Sequence, residues 1–335
     1  MDAPATTLTD RFGRRHDYLR ISLTERCNMR CTYCMPEEGI PLRPREQFMR
    51  QQEVLAIAEV FAGLGVRKVR LTGGEPLVRR DAEAIIRGLA RLPMELAITT
   101  NGVLVDRFMT AFHAAGLRKV NVSLDSLRPQ RVAAITRRDH HRQVMGNIEL
   151  LHREGFDLKV NTVLLRGAND DEIGDFVQWG ADHGIPVRFI EFMPFDGNRW
   201  NLERTVPQAE VLRPLRERFG EDELEPVLGE AHDTARHYRL RGATATFGII
   251  ASVSNPFCDT CNRLRLTADG KLKNCLFAGT ETDLLAAHRR GEDIVPVILR
   301  SVLHKARRRG GMEELEQLSD PALHGANRAM VAIGG

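Results

Sequence analysis

The feature that most constrains this 335-residue chain is a rhythm in its first 193 residues. Six apolar β-like runs, at 18–22, 68–72, 96–100, 119–124, 158–165 and 187–193, alternate with stretches of helical periodicity. The predicted helices span 51–64, 103–115, 143–154 and 171–183. In the first, Val54, Leu55, Ala58, Phe61 and Ala62 fall on one face, and Gly65, Gly116, Gly155 and Gly184 follow the helices as stop signals. Strands that alternate with helices form a parallel sheet, and right-handed crossovers wind it open or curl it toward a barrel. Six units fall short of the eight of a full barrel. The expected fold is therefore α/β: an incomplete (β/α)6 TIM-type barrel with a C-terminal α+β region covering its opening. In either architecture ligands bind at the C-terminal ends of the strands.

After Pro194 the rhythm changes. Residues 195–207 read as a loop and 208–219 as a helix. From about 221 short β-like runs take over, such as 245–251 and 263–267, before a basic helical tail and a terminal Gly334-Gly335.

No apolar run approaches the roughly 20 residues that span a bilayer, and residues 1–15 are polar without a signal-peptide core, so a cytoplasmic protein with no membrane partner is expected. The net charge of +3 gives no argument for nucleic acid. In that compartment six cysteines read as ligands or reactive thiols rather than disulfides. They fall into two sets of three.

Cys27-x-x-x-Cys31-x-x-Cys34 follows the first strand. Three close thiolates suit a soft metal or an iron–sulfur cluster, whereas a closed zinc site wants four ligands. On spacing alone, zinc with a fourth ligand from elsewhere and unligated thiols stay open. Tyr33 sits inside the set, and Thr72-Gly73-Gly74-Glu75-Pro76 follows the second strand. Glycines let backbone approach a ligand, and Glu75 can receive an ammonium group.

The second set is Cys258-x-x-Cys261 with Cys275. It is either a zinc knuckle lacking a ligand or a second cluster with an iron free for substrate. Between its members, Arg263 and Arg265 share one strand face, and Leu264 and Leu266 the other. Guanidinium groups there suit an anionic, planar substrate. Polar residues also interrupt the apolar strands: Arg20, Lys68 and Arg70, then Thr99 to Asn101, Asn121, Ser123, Asp125, Lys159, Asn161 and Arg188. Charges are seldom buried alone, so a ring of them suggests an enclosed polyanion site.

Cys27, Cys31 and Cys34 with Tyr33, followed by Gly73-Gly74-Glu75, resemble the radical S-adenosylmethionine enzymes. The resemblance narrows further. Phe12-Gly13-Arg14, Tyr18-Leu19-Arg20-Ile21-Ser22, Arg70 to Pro76, Thr99-Thr100-Asn101-Gly102, Asn262-Arg263-Leu264-Arg265 and Gly334-Gly335 are similar to the GTP 3′,8-cyclase family of molybdenum cofactor biosynthesis, over about 12–335.

That resemblance implies two [4Fe–4S] clusters, on Cys27, Cys31, Cys34 and on Cys258, Cys261, Cys275, with S-adenosylmethionine on the free iron of the first. It implies that a deoxyadenosyl radical takes the 3′ hydrogen of GTP, after which C3′ joins C8. It places Tyr33, Gly74, Glu75, Ser123, Arg188 and Met193 around S-adenosylmethionine. It places Arg20, Lys68, Arg70, Thr99, Lys159, Arg263, Leu264 and Arg265 around GTP. Catalytic roles fall to the first three cysteines, Arg263, Arg265, Gly334 and Gly335. The implied divisions are an extension (1–16), a radical enzyme barrel (17–220) and a C-terminal region with the second cluster and the Gly-Gly tail (221–335). Implied partners are an external electron donor, a downstream cyclic pyranopterin monophosphate synthase, and a second copy in a homodimer or monomer–dimer equilibrium. Glu25 stands where many members have aspartate, and 221–246 matches poorly, so no site is assigned there. Two rivals remain: a peptide-modifying radical maturase with an auxiliary cluster, and a zinc protein that binds RNA.

Overall fold

The computed structural model describes residues 7–36, 38–41, 43–320 and 327–334. The first six strands form where the alternation places them: β1 (Tyr18–Ser22), β2 (Lys68–Thr72), β3 (Glu95–Thr100), β4 (Lys119–Ser123), β5 (Asp157–Leu164) and β6 (Val187–Glu191). They lie side by side in sequence order, each parallel to the next. Helices α1 (Gln51–Gly63), α2 (Ala82–Leu89), α3 (Val105–Ala114), α4 (Pro129–Thr136), α5 (His141–Arg153) and α6 (Ile173–His183) fill the crossovers. Two of these, α2 and α4, were not anticipated. Each has about two turns, too few for periodicity to register.

The sheet does not stop at six strands. After α7 (Gln208–Phe219) come β7 (Leu224–Val227), β8 (Arg236–Leu240), β9 (Thr246–Ile250), β10 (Arg263–Leu266), β11 (Lys271–Lys273) and β12 (Thr282–Asp283). Strand β9 pairs parallel with β6, and β10 pairs parallel with β1. Antiparallel β8 and β7 extend one edge and β11 and β12 the other, giving a 12-stranded sheet. The C-terminal third therefore adds strands to both edges of the first sheet.

Each strand has two faces. In β5, Leu158, Val160, Thr162 and Leu164 are buried, while Asp157, Lys159, Asn161 and Val163 face a cavity. The buried face joins Val54, Ile57 and Phe61 of α1, Ile85, Ile86 and Leu89 of α2, and their counterparts in one continuous core. A smaller cluster, Val253, Phe277, Met312 and Leu318, packs beside Cys275. The core fixes the strands, and the strands aim their polar face at one space.

Candidate active site

That space is a cavity of about 800 Å³ lined from β1–β6, β9 and β10. Cys27, Cys31 and Cys34 reach it from the loop after β1. The loop is held by its own bonds. Arg30 Nη1 donates to the carbonyls of Cys27 (2.6 Å) and Met29 (2.9 Å), and Arg30 N and Thr32 N donate to Thr136 O and Ile135 O of α4 (both 2.9 Å).

Two glycines seat the loop. A Cβ on Gly73 would stand 2.7 Å from Thr24 O, and one on Gly74 would stand 2.4 Å from Arg26 O. Gly74 N and Glu75 N donate to Thr24 O (2.7 Å) and Arg26 O (2.8 Å). Glu75 is fully buried and accepts from Asn101 N (2.7 Å), Thr100 Oγ1 (2.8 Å) and Leu77 N (3.1 Å). Burial outweighs those bonds and pushes its carboxyl up to about 7. Tyr33 Oη donates to Asp125 Oδ2 at 2.7 Å, and burial raises Asp125 to about 6.

The three thiols feel one another. Burial pushes Cys27 up to about 11 and Cys34 to about 12, and lifts Cys31 well above its ordinary value, with neighbouring cysteines and acids adding to the rise. As thiolates they need a cationic partner, which a cluster's irons supply. Among the described residues no three His, Cys, Asp or Glu side chains converge on one metal-ion position. A closed zinc site wants four ligands, whereas a four-iron cluster offers each of three thiolates a different iron.

Away from the thiols the cavity is cationic. Arg20, Lys68, Arg70, Lys119, Lys159, Arg188, Arg263 and Arg265 all line it. Three lysines are already paired: Lys68 and Lys119 with Glu95 (2.7 and 2.6 Å), and Lys159 with Asp157 (2.6 Å). The arginines crowd each other. Burial lowers Arg20 to about 10 with Arg70 and Arg263 adding to the fall, and burial with neighbouring arginines also depresses Arg188 and Arg265. The lining cations outnumber the lining acids Asp17, Glu75, Asp125, Asp157, Glu230 and Asp233. Among the described residues, Thr99 Oγ1, Asn161 Oδ1, Arg188 Nε and Asn262 Oδ1 are buried without a hydrogen-bond partner, and all four residues line the cavity.

Cys258, Cys261 and Cys275 are half-buried and stand just behind the lining, which includes their neighbours Phe257, Asn262 and Leu276. Arg14 ties this region together, with Nη1 on Cys258 O (2.8 Å) and Arg307 O (2.7 Å) and Nη2 on Ala306 O (2.9 Å). Burial pushes the Cys258 thiol up. At Cys261 burial also raises the thiol, but Lys305 and Arg263 outweigh it and bring it to about 7.

The chain's end comes back to the site. Arg265 Nη1 donates to Gly334 O at 2.6 Å. Gly334 has φ +92°, and a Cβ there would lie 2.7 Å from Thr72 Oγ1 and 2.8 Å from Ser22 Cβ. Gly335 lies outside the described residues. Ser123, Met193, Gly74 and Thr99 line the cavity. Leu264 does not: its side chain is fully buried in the main core, on the face opposite Arg263 and Arg265.

Sequence reasoning missed other lining groups. Tyr18 Oη accepts from Arg70 Nε at 2.6 Å, and Arg70, Arg20 and Lys68 overcome burial to lower its phenol to about 7. Tyr18 shares the strand face of Arg20, so period two could have found it. The connection between β7 and β8 brings Glu230, His232 and Asp233 to the cavity, and β8 brings His237, in a stretch where no site was expected. No local pattern marks those residues.

Residues 21–180 match the Radical SAM superfamily, and residues 185–310 match Molybdenum Cofactor Synthesis C. SuiB of Streptococcus suis bound to S-adenosylmethionine superposes with a TM-score of 0.56 at 14% identity, over 92% of this chain and 67% of that one, a likeness of fold alone. The chain is 44% identical over 334 residues to the mitochondrial GTP 3′,8-cyclase of Arabidopsis thaliana, covering 98% of this chain and 83% of that protein. It is 42% identical over 336 residues to GTP 3′,8-cyclase of Peptoclostridium acidaminophilum, covering 98% and 99%. It belongs to the GTP 3′,8-cyclase family. Molybdenum cofactor biosynthesis protein 1 of Homo sapiens is 42% identical over 97% of this chain, and the chain spans about half the length of that relative and its animal counterparts.

Proposed function

We propose that this protein cyclises GTP to (8S)-3′,8-cyclo-7,8-dihydroguanosine 5′-triphosphate, the first step of molybdenum cofactor biosynthesis. The observation that carries the reading is one cavity lined both by a three-thiol set and by several arginines that depress one another. A peptide substrate would not call for that charge. The sheet then acts as an incomplete (β/α)6 barrel (17–220), closed by the C-terminal region (221–335).

Cys27, Cys31 and Cys34 would hold a [4Fe–4S] cluster, and Cys258, Cys261 and Cys275 a second. When bound, the first supplies one electron to S-adenosylmethionine and so the 5′-deoxyadenosyl radical that takes a substrate hydrogen. The protein's part is placement. Glu75, on a rigid turn, receives the cofactor's ammonium, and the Gly74 backbone lies alongside. Tyr33, Ser123, Arg188 and Met193 border the cofactor. Arg20, Lys68, Arg70, Thr99 and Lys159 hold the triphosphate end of GTP, while Arg263 and Arg265 face its base. Fixing both ends sets the ribose between them, and a primary-carbon radical needs its target hydrogen chosen in this way, in a dry pocket. Arg265 also holds Gly334 against β1 and β2, which supports a role for this glycine segment beside the reacting groups. An external donor supplies electrons and a cyclic pyranopterin monophosphate synthase takes the product. We place the enzyme in the cytoplasm as a homodimer in exchange with monomer.

The test is anaerobic incubation with S-adenosylmethionine and reductant, with and without GTP. The reading predicts faster 5′-deoxyadenosine formation with GTP, and equal rates would refute it.

A further inference from the structure

Lys305 is a buried cation that the proposed reaction does not use. It is 2% exposed and follows α9 (Val295–Leu303), the helix after α8 (Leu284–Arg289). Its Nζ donates to Arg263 O at 2.8 Å and to Cys261 Sγ at 3.4 Å. Among the described residues no carboxylate pairs with it. A buried ammonium without a counter-ion is costly, so something else must balance it.

The position is well determined. Lys305 N donates to Val302 O (3.0 Å), and Arg14 grips the next two carbonyls and Cys258 O. Arg14 is itself locked to Asp10 at 2.6 Å, and Asp10 also holds His16 at 3.0 Å. The charged groups beside Nζ include Arg263 from β10 and His16 from the N-terminal segment, with Asp10 bonded to His16. Asp10 is taken up by Arg14 and His16, and among the described residues the hydrogen-bonded acceptor on Lys305 Nζ that can carry negative charge is Cys261 Sγ. The first set is different: the donors to Cys27 Sγ are Met29 N and the Asn101 amide, both neutral.

We propose that Lys305 is a positioning residue that sets the electron affinity of the second site, through a fixed positive charge and an N–H···S hydrogen bond on Cys261. The inference rests on the reading that Cys258, Cys261 and Cys275 hold an iron–sulfur cluster. Reduction of such a cluster takes one electron from an external low-potential reductant and adds one negative charge, with no protein bond made or broken. A cation beside a ligating sulfur stabilises that added charge and raises the potential, as hydrogen bonds to cluster sulfurs do.

The experiment is an anaerobic redox titration of the whole iron-loaded protein followed by electron paramagnetic resonance, on wild type, Lys305→Met, Lys305→Gln and Lys305→Arg. Iron and sulfide are counted first. Two four-iron clusters give about eight irons per chain; half that in wild type overturns the cluster reading itself, and the inference with it. With iron retained, Lys305→Met should lower the reduced-to-oxidised ratio of the second cluster at a fixed poise by about tenfold, which is about 59 mV for one electron. Lys305→Arg should restore most of it, and the first cluster should titrate as in wild type. Should Lys305→Met lose iron, Lys305→Gln keeps a donor without the charge and should show a fall in the same direction, smaller than that of Lys305→Met. An unchanged ratio in an iron-replete neutral variant, or an equal shift of both clusters, overturns the proposal.

Discussion

Gly74→Ala tests the seating of the cysteine loop most sharply. The new Cβ would stand 2.4 Å from Arg26 O and 2.7 Å from Arg26 C, and ordinary contact begins at 3.4 Å, so the backbones must part by about 1 Å. Both sides are backbone, and neither can rotate away. Parting them breaks Gly74 N to Thr24 O and Glu75 N to Arg26 O. Overpacking of this kind costs about 1–3 kcal/mol, and each lost hydrogen bond adds about 0.5–1.5 kcal/mol. If the protein relaxes instead, the same 1 Å separates Cys27 from Glu75, which ride on the two segments. A misplacement of that size costs about 100-fold in rate. Gly74→Ala should therefore lose about 100-fold in anaerobic 5′-deoxyadenosine formation, with a Tm lowered by several degrees. Gly63→Ala is the control, since it is exposed near the end of α1 with no atom within 4 Å of the added Cβ, and should be neutral or slightly stabilising. Near-normal deoxyadenosine formation by a folded Gly74→Ala protein would refute the argument.

Other predictions concern charge and the second site. Glu75 is raised to about 7 by burial, so it is protonated below that pH and ionised above it. An ammonium needs the carboxylate, and equilibrium dialysis should show S-adenosylmethionine affinity falling about tenfold from pH 8 to pH 6; Glu75→Gln should bind weakly with that dependence gone. The same raised value means that ionising Glu75 costs the empty fold stability, so its contribution declines as pH rises from the ordinary carboxylate range through about 7. Arg265→Met frees the Gly334 carbonyl and removes a charged hydrogen bond of about 1.5–3 kcal/mol, so GTP-dependent turnover should fall by about 10- to 100-fold while cleavage of S-adenosylmethionine without GTP persists. Cys27→Ala should abolish deoxyadenosine formation with or without GTP, whereas Cys258→Ala should keep the uncoupled cleavage; equal loss in both would contradict the division of labour between the two sets.

Much of the site was legible because strands alternate. Lys159 and Asn161 in β5, and Arg263 and Arg265 in β10, announce a polar face by period two, and the structure puts all four on one cavity. The same alternation already set Leu264 on the other side, and its place in the core follows. What could not be read is pairing across long separations. Nothing local says that β10 lies parallel to β1 or β9 to β6, because register is decided by the assembled core. His232 and Asp233 reach the cavity for the same reason: a poorly patterned connection becomes lining once β7 and β8 are attached to β9. Lys305 looked like part of a basic tail, and only its burial beside Cys261 gives it meaning.

The central claim is that one cavity aims a radical at a single ribose hydrogen of GTP. GTP carrying deuterium only at C3′ puts this to the test in a single anaerobic turnover. The account predicts that the deuterium appears in 5′-deoxyadenosine, with a product in which C3′ is bonded to C8. Unlabelled 5′-deoxyadenosine formed alongside that product, or label transfer with no such product, would contradict it.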